Sequence, residues 1–90
     1  MANAFKKITL DLTNARVSAD VTPTGIQYFD GFTIKSSDAT VPITGQTNTA
    51  SDDTFDIVVD AVWTMYGKKL FITHAADPGK TLVIYMLVVF

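Results

Sequence analysis

The residues that could do chemistry are few in this chain, and most of them lie in its second half. Residues 78–81, PGKT, match the last positions of the phosphate-binding loop GxxxxGK[ST], which holds a phosphate at the start of a helix. The position that requires the first glycine of that loop carries His74 instead. The segment that follows has the pattern of a strand. We therefore expect no nucleotide site here.

His74 is the single histidine, and the chain contains neither cysteine nor glutamate. A hydroxyl nucleophile needs a histidine that is itself oriented by an acid, and no such arrangement is visible. Paired catalytic carboxylates and a glycine-rich cradle are also missing. We expect His74 to be a hydrogen-bonding surface residue of a turn, and we expect the protein not to be an enzyme.

Aspartates are concentrated at Asp52, Asp53, Asp56 and Asp60. The calcium-loop spacing, with its central glycine and closing glutamate, is absent. The pair Asp52 and Asp53 is explained more simply by the solubility of a loop. We expect no metal and no cofactor, with a loop-bound calcium ion as the minor alternative.

Aromatic side chains could form a platform on which a sugar ring stacks. Most of them lie at strand positions where core packing explains them equally well. Trp63 and Tyr66 flank a turn, so they are the best candidates for a ligand site. The alternative function is therefore a monomeric carbohydrate-binding β-sandwich module.

The composition limits the class of protein. Ninety residues make one domain, residues 1–90, that buries only about 60–65% of its unfolded surface. The net charge of −2 leaves no basic stripe to displace counterions from phosphates, so nucleic acid is not an expected partner. The absence of cysteine favours a reducing compartment. No signal peptide and no membrane-spanning run of ~20 apolar residues is expected.

Strand patterns recur about every ten residues, with turn signals between them. The predicted strands are 8–12, 26–35, 41–44, 55–63, 70–73 and 81–90. Such spacing is typical of antiparallel sandwiches and barrels. We predict an all-β fold, a small antiparallel β-sandwich or barrel of six to seven strands that is jelly-roll-like or immunoglobulin-like.

Several segments leave alternatives open. Asp30-Gly31 suits either a hairpin turn or a bulge in one long strand. Residues 53–66 fit a strand or a helix, and their β-branched residues favour the strand. Residues 13–24 are expected to be mostly connection, and residues 45–54 a mobile loop. Pro42 is expected on an edge strand because it cannot donate to a ladder.

The segment LVIYMLVVF, residues 82–90, is apolar on both faces. A sandwich strand buries one face and wets the other, so the face with Val83, Tyr85, Leu87 and Val89 needs a cover. Leaving four such side chains wet forgoes roughly 6–12 kcal/mol. A loop or a helix from residues 52–66 could cover them. We favour another protein chain, with an interface formed by Val83, Tyr85, Leu87, Val89 and Phe90.

Two stretches carry a resemblance to a known class of proteins. KKLFITHAADPGKTLVIYMLVV (68–89) and FTIKSSDATVPITG (32–45) resemble the strand-and-turn pattern of small β-rich virion proteins of tailed bacteriophages. The resemblance covers about half of the chain and carries over no binding residues. It implies a capsid cement, decoration or minor capsid protein, located in the virion and assembled in the host cytoplasm. The implied partners are other copies of the chain, a major capsid protein, or both, with no small-molecule substrate.

Overall fold

The computed structural model describes residues 3–90, which form β-strands and no helix. The predicted domain also includes Met1 and Ala2, which lie outside the described residues. The eight strands within residues 3–90 are β1 (Asn3–Asp11), β2 (Arg16–Asp20), β3 (Tyr28–Ser37), β4 (Ile43–Thr47), β5 (Phe55–Asp56), β6 (Val62–Trp63), β7 (Leu70–His74) and β8 (Thr81–Val89).

The strands form two antiparallel four-stranded sheets. The first sheet has the order β1-β8-β3-β6, and the second sheet has the order β2-β7-β4-β5. Every connection except β4 to β5 passes from one sheet to the other. Eight antiparallel strands wound in this way over two sheets form a jelly roll. The predicted all-β antiparallel sandwich is confirmed.

The core lies between the two sheets. Because side chains alternate along a strand, β8 directs one set inward, and the inward residues Leu82, Ile84, Met86 and Val88 have no exposed surface. The other strands complete this core with Leu10, Leu12, Phe29, Phe32, Ile34, Ile43, Leu70 and Ile72. The predicted inward face of the last strand is therefore correct over these four residues.

Asp30 and Gly31 form a bulge in β3. Phe29 pairs with Val88 and Phe32 pairs with Met86, so the two bulge residues both lie opposite Leu87. Gly31 has a φ of 145°, which other residues rarely adopt. A Cβ atom there would also lie 2.7 Å from the carbonyl oxygen of Trp63. Of the two alternatives left open by the sequence, the bulge is the one that the chain adopts.

Residues 55–63 form two short strands, so the prediction of one continuous strand is wrong. A turn separates β5 from β6, with the Ala61 amide donating to the Val58 carbonyl at 3.1 Å. Asp60 takes the left-handed conformation, with a φ of 69°. The turn leaves Val59 exposed, whereas Phe55 and Trp63 pack against the core.

Residues 13–24 lie mostly outside strands, as expected, but they also contain β2, which pairs with β7 across a register shift. Two further expectations need correction. Pro42 precedes β4, and β4 is an interior strand between β7 and β5. The polar loop is shorter than expected because residues 45–47 belong to β4.

Candidate interaction surface

The side of the first sheet that faces away from the core carries two rows of side chains that cross the strands. In the first row, Phe5 of β1 pairs with Leu87 of β8, which lies opposite the bulge of β3. In the second row, Lys7 pairs with Tyr85, Tyr85 pairs with Thr33, and Thr33 pairs with Val62. We call Phe5, Thr33, Val62, Tyr85 and Leu87 the outer apolar face.

The outer apolar face is open to solvent. Phe5 and Val62 each expose 69% of their surface, and Leu87 exposes 42%. The rings of Phe5 and Tyr85 meet edge to face, with 5.8 Å between centroids. A groove of about 280 Å³ runs along this face between Phe5 and Val62 and is also lined by Asp30, Gly31 and Thr64. Large apolar side chains gathered around one groove are typical of a contact surface.

The predicted interface residues of β8 are covered to different degrees. Leu87 is the most exposed, and Val83 and Tyr85 are half-buried. Val89 is 2% exposed, because its strand neighbours Asn3 and Tyr28 flank it. Val89 therefore does not contribute to the exposed surface, and its predicted place there is corrected.

Phe90 is half-buried, and the Lys6 ammonium lies 5.2 Å from the centroid of its ring. Lys6 pairs with the buried Met86, so it occupies an inward position on the edge strand β1. An inward charge on an edge strand opposes the addition of further strands at that edge. The exposed apolar surface of this sheet is therefore its face, not its β1 edge.

The sequence prediction missed Phe5 and Val62. It began the first strand at Ile8, although Phe5 continues the same alternation of outward residues through Lys7 and Thr9. For Val62, no local signal in the sequence places its strand beside β3. These two residues complete the outer apolar face from both sides of β8.

Trp63 and Tyr66 do not form a common platform. The Trp63 ring packs on Phe55, at 4.6 Å between centroids, and on Phe32 at 6.3 Å. Its buried Nε1 has no hydrogen-bond partner among residues 3–90. Tyr66 is exposed and pairs with Tyr28 at 4.9 Å. The aromatic contacts therefore assign the two rings to different clusters.

His74 is not an exposed turn residue, because it ends β7 and is buried. Its Nε2 lies 2.9 Å from a guanidinium nitrogen of Arg16, and its Nδ1 lies 2.6 Å from the carbonyl oxygen of Ala75. A guanidinium can only donate, so Nε2 is the acceptor and Nδ1 carries the hydrogen. His74 therefore joins β2 to β7 through its contact with Arg16.

Asp77 is a buried carboxylate in the turn that precedes β8. It accepts hydrogen bonds from the Thr40 amide at 2.7 Å and the Thr40 hydroxyl at 2.8 Å. The hydrogen bond from the Thr40 backbone amide is the main cause that lowers the pKa of Asp77 below its ordinary value. Asp77 therefore holds the turn that contains PGKT against Thr40. The last residue of PGKT, Thr81, is the first residue of β8.

Other site classes find no support in the described part of the chain. Residues 3–90 bring together no group of three acidic or histidine side chains that could hold a metal ion. The same residues contain no helix that is long and apolar enough to cross a membrane.

Comparison of the chain with protein-family models, with curated proteins and with solved structures finds no match. The candidate site therefore rests on the geometry of this chain alone.

Proposed function

We propose that this protein is a structural assembly protein whose outer apolar face is covered by another protein chain. The single observation that carries the proposal is the exposure of Phe5, Val62 and Leu87 on one face of a sheet whose other face is the core. Burying each such side chain contributes roughly 1.5–3 kcal/mol. Their burial against a partner favours association and opposes the loss of translational and rotational freedom that association costs.

The proposed setting is a virion, in which the chain acts as a capsid cement, decoration or minor capsid component. Residues 68–89 support this setting through their resemblance to small phage virion proteins. The jelly-roll order of the strands supports it as well, because capsid proteins use this architecture. Lectins and cupins also use it, so the fold alone does not select the function.

The carbohydrate-binding alternative receives less support. A stacking platform needs aromatic faces that are open to solvent, and the Trp63 ring lies against Phe32 and Phe55. Tyr66 is open but leans on Tyr28. No observation at these residues favours a sugar over a protein neighbour.

Sedimentation velocity across the micromolar range tests the proposed association. We expect a defined oligomer for the unchanged chain. The double variant Phe5→Thr/Leu87→Thr replaces two apolar anchors with threonine, a β-branched residue that suits a strand, and we expect it to be monomeric. A matched control is Val17→Thr/Val58→Thr, which changes two exposed apolar residues away from this face and is expected to assemble normally.

A monomer for the unchanged chain at every concentration would exclude self-assembly, and together with unlabelled particles it would overturn the proposal and favour a monomeric module. Oligomers that survive the double variant unchanged would show that the outer apolar face is not the interface. The virion setting has its own test, immunogold labelling of purified particles. Label on the particles is expected, and protein found only in the unassembled fraction contradicts that setting.

A further inference from the structure

We propose that the chain covering the outer apolar face is a second copy of this chain, packed face to face about a two-fold axis that runs along β8. The inference rests on the proposed function, because it names the partner of the same surface. It adds a symmetry operator and the contacts that the operator generates.

The positions of the strands around β8 define this symmetry. β8 lies between β1 and β3. At the level of Leu87, Phe5 lies on one side and the Asp30-Gly31 bulge lies on the other. A rotation of 180° (a half-turn) about an axis parallel to β8 places the β1 side of one copy over the β3 side of the other. It leaves the position of each residue along β8 unchanged. In such an isologous pair, β1 of each copy lies over β3 of the other.

The two sides have complementary shapes. On the β1 side, the Phe5 ring projects from the sheet and is largely exposed. On the β3 side, Gly31 has no side chain and lines the groove with Thr33 and Leu87. The half-turn places the Phe5 ring of each copy over the groove beside Gly31 of the other copy. Leu87 of each copy meets its own counterpart on the axis.

The two sides also carry opposite charges. Lys7 lies on the β1 side in the row next to Phe5, and Asp30 lines the groove on the β3 side. The single ion pair among residues 3–90 joins Lys69 to Asp20, so within that range neither Lys7 nor Asp30 has an ionic partner. Residues two apart on a strand are separated by about 7 Å, which a lysine side chain spans.

The half-turn therefore brings the Lys7 ammonium of each copy to Asp30 of the other copy. Two such pairs frame the apolar contact and fix its register, as charges at the border of an interface do. A second copy supplies the groove for Phe5 and the opposite charges from these same residues, whereas a different protein would need a separately matched surface. The self-complementary arrangement favours a second copy over an unrelated chain.

Charge exchange tests the inference. We expect Lys7→Asp and Asp30→Lys each to weaken self-association about tenfold or more, because each places like charges against each other at both pairs. Both side chains are exposed, so folding is expected to persist. Lys68→Asp and Asp53→Lys make the same charge changes on exposed loop residues and are the matched controls, expected to associate as the unchanged chain does.

The decisive arm is the mixture of the two single variants. In a heterodimer of Lys7→Asp with Asp30→Lys, one ion pair keeps its native sign and the other has reversed sign. Both pairs are therefore attractive, so we expect dimers in the mixture but not in either variant alone. The doubly exchanged chain, Lys7→Asp/Asp30→Lys, is expected to recover self-association. These recoveries should weaken as salt rises.

The failures of this inference and of the proposed function can be told apart. If the unchanged chain associates but neither charge variant weakens it, or the mixture does not restore association, the two-fold axis along β8 is wrong and the assembly function stands. If the unchanged chain is monomeric, the inference fails. The assembly function then depends on the labelling of particles, because a different chain could still cover this face.

Discussion

The two sheets of this protein differ most in what covers their outer faces. The outer face of the second sheet is crossed by side-chain hydrogen bonds, whereas that of the first sheet gathers exposed apolar side chains around one groove. Both sheets have four strands and share one core. Packing of the shared core therefore does not explain why the two outer faces differ.

On the second sheet, side chains bond to one another across three strands. The Thr73 hydroxyl accepts from the Ser18 amide at 2.8 Å, and the Ser18 hydroxyl donates to the Gln46 amide oxygen at 2.8 Å. The Gln46 amide nitrogen donates to the carbonyl oxygens of Ala50 and Asp52. These bonds hold the loop after β4 against the Gln46 side chain, and Gln46 is buried.

The outer apolar face has no such cover. Its only polar side-chain bond is that of the Thr33 hydroxyl, which donates to the Ala61 carbonyl at 2.9 Å; this holds for residues 3–90. The comparison teaches that one sheet is completed by its own loop, whereas the other leaves apolar surface for a neighbour. The polar loop, which was expected to be mobile, thus has a defined structural role.

The largest expected effect is on the free energy of unfolding, and it should differ between the inward and outward faces of β8. Ile84→Ala creates a cavity at a fully buried position and should lower the free energy of unfolding by about 2–5 kcal/mol. Leu87→Thr, three residues further on, should cost about 1 kcal/mol or less and act on association instead. Chemical denaturation of both variants below the concentration of assembly measures the contrast. Equal losses would contradict the division into a core face and an interface face.

A smaller effect is expected from the hydrogen-bonded face. Gln46→Ala leaves the Ser18 hydroxyl and the Ala50 and Asp52 carbonyls without their partner, which should cost about 1–3 kcal/mol. Faster amide exchange in residues 48–54 should accompany the loss, with no change in association. Gln27→Ala is the matched control, since Gln27 is exposed and makes one 3.2 Å bond to the Phe90 carbonyl. A loss no greater than that of the control would contradict the role given to Gln46.

Much of the fold could be predicted because its strongest signals are local. The alternation in residues 8–12 and the apolar run from Leu82 identify β1 and β8. β2 could not be predicted in this way, since only Val17 and Ala19 in it are apolar and Val17 points to solvent. It becomes a strand because β7 offers a pairing partner, and pairing between distant segments is invisible to a local pattern.

The candidate site was predicted only in part for the same reason. Leu87 and Tyr85 were identified from β8 alone. Phe5 and Val62 join them through the register of β1 with β8 and of β6 with β3, which the sequence does not display. Burial of Val89 likewise depends on Tyr28, its neighbour from β3.

The smallest expected effect appears only in acid and concerns Asp77, which lies outside both faces. Because hydrogen bonds from Thr40 lower the pKa of Asp77 below 3.8, its contribution to stability is complete above that pH and is lost as the pH falls through the folded-state pKa. Asp77→Asn should reduce the acid dependence of unfolding below pH 3.8, measured by urea denaturation at a series of pH values. Asp53→Asn changes an exposed loop aspartate and serves as the control. An unchanged acid slope in Asp77→Asn would show that the charged Asp77 does not hold the turn before β8.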